Sequence, residues 1–282
     1  MTQWYKSGQD LIDTLHAQKA DQNLIAITRL GQCGQAIAGQ GTLLLIDPVL
    51  TDLKDAQGNT RRLYPAPFHP GNLHADYVLC THAHRDHFAA DTLQALRKVN
   101  PALKLIIPAA LKEQAQALGF LKENLVLMED GQSTALSDDL SISAIRTAHP
   151  VEQKDEKGRD TNLAYDVQLG GHRFLHLGDT YLSEGLLERL QSHAKPDVLF
   201  APINGQDYFR TTRNCIGNLS DYEAVRLAVL LEAGLVIPMH YDMMTGNTSS
   251  PVGFVENMLE ICPQRPFALP RLGESILIRR CV

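Results

Sequence analysis

The segment Thr81-His82-Ala83-His84-Arg85-Asp86-His87-Phe88 concentrates three histidines and one aspartate. It directly follows the apolar run 78–80, which the pattern predicts to be the end of a buried strand. In an extended backbone, residues two apart point the same way, so His82 and His84 can bind one ion. The chain must then turn toward a helix, and this turn could bring Asp86 and His87 to a second ion. Imidazole and carboxylate groups are suitable ligands for Zn, Mn or Fe.

Three further candidate ligands occur later in the chain. His149 follows a predicted strand in Thr-Ala-His-Pro, Asp179 follows another in Leu-Gly-Asp-Thr, and His240 follows a third in Pro-Met-His. Sites in α/β proteins are commonly built just beyond the ends of strands. The sequence therefore predicts that these side chains add to the ligands supplied by residues 82–87.

The elements that must position these residues follow from hydrophobic periodicity and turn signals. Strands are predicted at 24–28, 35–38, 42–46, 77–80, 103–107, 125–128, 132–136, 140–147, 162–169, 172–177, 198–201, 235–237 and 275–280. Helices are predicted at 4–19, 89–99, 109–118, 184–192, 220–234 and 251–260, and residues 51–74, 151–161 and 205–219 as loops. This order fits one α/β domain over 1–282, an αββα four-layer sandwich with two mixed sheets face to face and an N-terminal helical extension over 1–20. Periodicity alone does not separate it from other α/β folds.

Composition narrows the class of protein. The 282 residues include 26 Lys plus Arg and 32 Asp plus Glu, a net charge of −6, which argues against broad nucleic-acid binding. Five scattered cysteines without a C-x-x-C pair indicate reduced thiols and a cytoplasmic protein. We expect neither a secretory signal nor a membrane contact, because the first 20 residues carry no apolar core and no apolar run is long enough to span a bilayer.

Taken together, the motif and the later ligands resemble those of metallo-β-lactamase-fold hydrolases, over about residues 24–280. The resemblance implies that His82, His84 and His149 hold one metal ion. It implies that Asp86, His87 and His240 hold a second ion, and that Asp179 bridges both. The expected cofactor is thus two divalent ions, Zn foremost and Mn or Fe as alternatives. A water molecule bridging two such ions becomes a nucleophile near neutral pH, and Asp86 and Asp179 are the expected catalytic residues.

Residues 76–88, 174–183 and 198–245 resemble more narrowly the L-ascorbate-6-phosphate lactonase group. This likeness implies attack on the carbonyl carbon of a small anionic metabolite, such as a sugar-phosphate lactone, and a homo-oligomer. Arginines can bind phosphate or carboxylate bidentately, and tyrosines can donate to a carbonyl oxygen. The predicted substrate-binding residues are Tyr208, Arg210, Arg213 and Tyr241, and the pair Arg61–Arg62 is a further anion-binding candidate.

Two alternatives remain open at this stage. The same two ions could serve a phosphodiesterase, which attacks a phosphoryl centre. The chain could also be a non-enzymatic metal-binding protein that has kept the fold. The complete ligand series argues against this second alternative.

Overall fold

The computed structural model describes residues 3–279, so Arg280, the last residue of the predicted strand 275–280, and Cys281 lie outside the described residues. The strands are β1 Leu24–Gly31, β2 Gly34–Gly39, β3 Thr42–Ile46, β4 Tyr77–Leu79, β5 Lys104–Pro108, β6 Leu125–Met128, β7 Ser133–Ala135, β8 Leu140–Arg146, β9 Leu163–Leu169, β10 His172–His176, β11 Val198–Pro202, β12 Leu235–Met239 and β13 Ser275–Arg279. The α-helices are α1 Gly8–Ala20, α2 Ala90–Val99, α3 Lys112–Ala117, α4 Glu184–Ser192, α5 Tyr208–Thr211, α6 Asp221–Leu230 and α7 Val252–Ile261.

The chain divides into two compact units, residues 1–128 with 270–282 and residues 129–269. Each unit contains one mixed sheet, as the sequence predicts. The sheet of the first unit has the strand order β13-β1-β2-β3-β4-β5-β6, and that of the second has the order β12-β11-β10-β9-β8-β7. That the whole chain forms a single domain stays a prediction.

The sheet of the first unit changes from antiparallel to parallel at β3. Strands β1, β2 and β3 form antiparallel hairpins, whereas β3, β4, β5 and β6 run parallel. Parallel pairing places the carboxyl ends of β3 and β4 side by side. Apolar side chains of α1, α2 and the sheet form one core, in which Leu11, Leu45, Val78 and Leu93 are fully buried. This core fixes the strand ends from which the first set of candidate ligands projects.

The sheet of the second unit combines a parallel and an antiparallel half in the same way. Strands β10, β11 and β12 run parallel, and β7 to β10 run antiparallel. Gly170 and Gly171 both have positive φ, which confirms the predicted β9–β10 hairpin turn. Helix α6 begins with the predicted capping box, in which the Ser220 hydroxyl and the Glu223 carboxylate each accept a backbone N–H.

Several predicted boundaries are wrong for local reasons. Helix α1 begins at Gly8, because Ser7 has an extended backbone; Trp4 packs against the core before the helix starts. The predicted loop 205–219 contains the short helix α5, in which the Asp207 side chain accepts the Arg210 N–H as an N-cap. Helix α6 ends at Leu230, four residues before the predicted glycine stop, and the left-handed residue that follows it is Glu232.

The two long polar loops contain the same small turn. Lys54 pairs with Thr60 and Lys154 pairs with Asp160, each as an isolated antiparallel bridge. In the first turn the Asp55 carboxylate accepts the N–H groups of residues 57 and 59, and in the second Asp155 accepts those of residues 157 and 159. Glycine at 58 and 158 supplies the positive φ that each turn requires. These two predicted loops are therefore partly ordered hairpins. Across residues 3–279, none of the helices has the length and apolar content needed to traverse a bilayer.

Candidate metal centre

The first unit gathers the residues of the H-x-H-x-D-H segment in the turn between β4 and α2. The ring centroid of His82 lies 4.5 Å from that of His84 and 4.2 Å from that of His87. The distance from Asp86 Oδ2 to His87 Nε2 is 3.9 Å. His82 and His87 are buried, and His84 is exposed. The local spacing thus brings four donor side chains together.

The buried carboxylate of Asp47 fixes the tautomers of two histidines in this cluster. Its Oδ2 accepts a hydrogen bond from His87 Nδ1 at 2.6 Å and another from the Thr81 hydroxyl at 2.8 Å. Since that hydroxyl has only one hydrogen, His82 Nδ1 must donate to Thr81 Oγ1 in their 3.0 Å contact. Neutral His82 and His87 then both carry their lone pair on Nε2, the form in which imidazole binds a metal ion.

The second unit brings together the other three candidate ligands. His149 Nε2 lies 3.4 Å from Asp179 Oδ2, and His240 Nε2 lies 3.3 Å from Asp179 Oδ1. All three side chains are at least 95% buried. His240 has φ +60, a left-handed conformation that is costly for a non-glycine residue and is concentrated at functional sites. One histidine therefore faces each oxygen of the same carboxylate.

These distances fit divalent metal ions. Two donors that share a tetrahedral ion with bonds of about 2.0–2.2 Å lie about 3.3–3.6 Å apart. The two contacts of Asp179 match this separation, one on each carboxylate oxygen, as a bridging ligand requires. The donor set of imidazole nitrogens and carboxylate oxygens is compatible with Zn, Mn or Fe.

Comparison with known proteins identifies the family. A family model described as a β-lactamase superfamily domain matches residues 26–240. The chain belongs to this superfamily. Within it, the chain is 30% identical over 212 residues to a UPF0173 protein of Pyrococcus furiosus, covering 74% of this chain and 81% of that protein. It is 29% identical over 222 residues to a UPF0173 metal-dependent hydrolase of Archaeoglobus fulgidus, covering 77% and 83%. It is thus a member of the UPF0173 metal-dependent hydrolase family.

Solved structures confirm the fold of this UPF0173 member. The isothiocyanate hydrolase from Delia radicum gut bacteria superposes with a TM-score of 0.71 at 17% identity, covering 91% of this chain and all of that chain. At this identity the likeness concerns the fold alone. The α/β fold with two mixed sheets and metallo-β-lactamase-fold neighbours confirms the predicted fold class.

The predicted substrate residues of this UPF0173 member have diverse surroundings. The guanidinium of Arg210 bonds to the Asn204 carbonyl at 2.8 Å, to Asn247 Oδ1 at 2.9 Å and to the Asp207 carboxylate. The N–H and side chain of Arg210 also lower the pKa of Asp207. Arg210 thus holds its loop together. Arg213 is exposed and donates to the carbonyl of Phe209.

The two predicted tyrosines and the two predicted arginines near residue 60 differ in their exposure to solvent. Tyr208 is 75% exposed, whereas Tyr241, next to His240, is 7% exposed. Arg62 is buried and donates to the backbone carbonyls of residues 49, 51 and 64, so its predicted anion-binding role is wrong. Arg61 is exposed.

The remaining histidines lie apart from the ligands within their own units. His69 caps a short helical turn and His74 contacts Asn100, so both help to order the loop before β4. His176 is fully buried and accepts the Gly178 N–H, as expected of a core residue. His172 is buried, and its Nδ1 lies 3.6 Å from Asp197 Oδ2.

Sequence reasoning missed three residues of the first unit that contact the ligands. Asp47 directly follows β3, and the rule of strand ends that identified His149 would have found it. Gln32 donates to Asp86, and the sulfur of Cys33 lies within 4.8 Å of a ring nitrogen of His87. The signal for these two is weaker: a Gly-Gln-Cys-Gly turn between two buried strands.

Proposed function

We propose that this protein is a dinuclear metal-dependent hydrolase acting on the carbonyl carbon of a small anionic metabolite, in the manner of a lactonase. His82, His84 and His149 would hold one ion, Asp86, His87 and His240 would hold the other, and Asp179 would bridge them. The observation that carries the proposal is Asp179, whose two oxygens each face a different histidine at 3.3–3.4 Å.

The chemistry follows from the side chains. Two bound ions would supply a hydroxide nucleophile near neutral pH and stabilise the charge that develops on the substrate oxygen. Asp86 is held by a hydrogen bond from Gln32, so its carboxylate can orient the nucleophile and pass a proton to the leaving group. Asp47 fixes the tautomer of His87 directly, and that of His82 through Thr81, so that Nε2 of each ring can bind a metal ion. Binding of an anionic substrate is assigned to the exposed Arg213 rather than to Arg210, whose guanidinium is engaged by Asn204, Asp207 and Asn247.

Metal content tests the proposal first. Protein purified without chelator or affinity-tag metal should contain about two Zn, Mn or Fe ions per chain by elemental analysis. Asp179→Ala should lose at least one ion and nearly all hydrolysis of lactones. Asp197 is an exposed aspartate before β11, at the opposite end of the sheet from Asp179. The control variant Asp197→Ala should keep its metal content and its hydrolysis of lactones.

The substrate panel then separates the reaction classes. Lactones, with and without a phosphate group, are compared with phosphodiesters in the metal found. Faster turnover of phosphodiesters would replace the lactonase assignment by a phosphodiesterase. An Asp179→Ala protein with two ions and full activity would overturn the ligand assignment altogether.

A further inference from the structure

The turn between β1 and β2 has a backbone that glycine would adopt more easily. Gly31 pairs with Gly34, and the two residues between them are Gln32 and Cys33. Gln32 has φ +52, in the left-handed region that non-glycine residues adopt only at a cost. A glycine would fit this backbone without that cost, so what glutamine adds at this position is its side chain.

That side chain is buried against the metal motif. Gln32 is fully buried, and its Nε2 donates to Asp86 Oδ2 at 2.8 Å. The same Oδ2 lies 3.9 Å from His87 Nε2. Gln32 therefore contacts the carboxylate oxygen of Asp86 that is directed toward the adjacent ligand. A carboxylate oxygen has two lone pairs, so an oxygen that accepts the amide hydrogen can also bind an ion.

The turn itself is held firmly. The Gln32 N–H contacts the Tyr64 hydroxyl at 3.3 Å, and a Cβ added at Gly31 would come within 2.5 Å of the same hydroxyl. The ring of Tyr64 is in edge contact with Trp4. The turn that carries Gln32 is thus held in place by Tyr64, so the Gln32 amide can restrict the rotation of the Asp86 carboxylate.

We propose that Gln32 is a positioning residue that orients the Asp86 carboxylate for binding the second ion. This inference rests on the proposed two-ion site. Partners of this kind fix the orientation of a ligand, and their removal typically lowers metal affinity or activity about 10–100-fold. Gln32 does not replace a ligand; it selects the orientation in which Asp86 acts as one.

The chain contains a matched control. Gln40 occupies the first position of the next two-residue turn, between β2 and β3, with φ +54. Its amide donates to the carbonyl of Gln22, at the other end of β2 from Gln32. Gln40→Ala therefore removes the same group from the same backbone conformation without touching Asp86.

The experiment measures Zn²⁺ affinity by competition with a chromophoric chelator for the wild type, Gln32→Ala, Gln32→Gly and Gln40→Ala. Thermal unfolding of each metal-free protein is measured in parallel. Gln32→Ala and Gln32→Gly should bind the second ion, which Asp86 would hold, about 10–100-fold less tightly. Gln32→Gly should unfold no lower than Gln32→Ala, because glycine relieves the left-handed backbone. Gln40→Ala should keep wild-type affinity.

The outcomes are distinct. Wild-type affinity in Gln32→Ala would overturn the positioning role while leaving the two-ion site intact. The same conclusion would follow if Gln32→Gly regained both wild-type metal affinity and wild-type stability. A wild-type protein that binds no ion would instead refute the proposed function, and this inference with it.

Discussion

At the scale of single residues, the Asp47 carboxylate accepts three hydrogen bonds from the segment that carries the histidines. Two come from the N–H and hydroxyl of Thr81, and the third from His87 Nδ1. Asp47 is fully buried and has φ +44, so its position is imposed by the surrounding structure. Because a carboxylate only accepts hydrogen bonds, it fixes the tautomer of both His87 and, through Thr81, His82.

Asp47→Asn tests this arrangement. An amide has only one accepting atom, so at least one of the three buried donors loses its acceptor. The free energy of unfolding should fall by about 1–3 kcal/mol. Zn²⁺ affinity should fall about 10–100-fold, because the histidine tautomers are no longer fixed. Urea denaturation and chelator competition measure the two effects.

Asp76→Asn is the control for this prediction. Asp76 lies beyond the amino end of β3, whereas Asp47 follows its carboxyl end, and Asp76 accepts the Leu43 N–H. Its substitution should alter stability alone. Unchanged metal affinity in Asp47→Asn would mean that Asp47 serves only the fold.

At the scale of elements, Asp160 joins the hairpin 154–160 to the end of β8. Its carboxylate accepts hydrogen bonds from Arg146 Nε at 2.5 Å and from the Asp130 N–H at 3.0 Å, and its own N–H donates to Glu129. Lys154 Nζ lies 3.0 Å away. The hairpin directly follows the His149 segment, so these bonds order the chain on the carboxyl side of a candidate ligand.

The Asp160 carboxyl predicts a specific dependence on pH. Burial raises its pKa, but the hydrogen bonds from Arg146, Asp130 and Lys154 outweigh burial and hold the pKa well below its ordinary value. A lowered folded-state pKa contributes stability above the unfolded pKa of about 3.9, and this is lost as the pH falls toward the folded pKa. Asp160→Asn should therefore be less stable than the wild type at neutral pH.

The difference in free energy of unfolding between the wild type and Asp160→Asn should narrow below about pH 4, because the wild type loses the contribution of the ionised carboxyl. Urea denaturation of metal-free protein between neutral and acidic pH measures it. Asp138→Asn, an exposed position in the loop before β8, should show no such gap at any pH. A deficit in Asp160→Asn that stays constant into strong acid would contradict the ion-pair account.

At the scale of the whole molecule, each compact unit carries part of the ligand series. The motif around His82 lies in the first unit, and His149, Asp179 and His240 lie in the second. Metal binding by each set of ligands is expected to stabilise the unit that carries it. A ligand that binds only the folded state raises the free energy of unfolding by about 2.7 kcal/mol when its free concentration is 100 times its dissociation constant.

Chelation tests this expectation. Removing the ions should lower the melting temperature and reduce the amide protection of residues 81–88 and of residues 177–181, as measured by hydrogen exchange. Returning Zn²⁺ should restore both segments. Loss of protection in one segment alone would show that the ions are held by one unit only, and an unchanged melting temperature would argue against tight metal binding.

Features that depend on short spacing can be predicted from the amino-acid pattern alone. Residues 82–87 form a ligand cluster because a strand end and one turn fix their geometry. The Gly170–Gly171 hairpin and the Ser220 capping box likewise depend on neighbours a few residues apart. His149, Asp179 and His240 were predicted from their positions after strands, without knowledge of their distances.

Contacts between residues far apart in the chain are established only by folding. Asp47 contacts His87 because β3 and β4 pair in parallel, and Gln32 reaches Asp86 across 54 residues of sequence. Arg62 and Arg210 are held by backbone carbonyls or loop side chains that no local pattern reveals. Side-chain type and spacing therefore specify the donors, whereas strand order decides which other groups orient them.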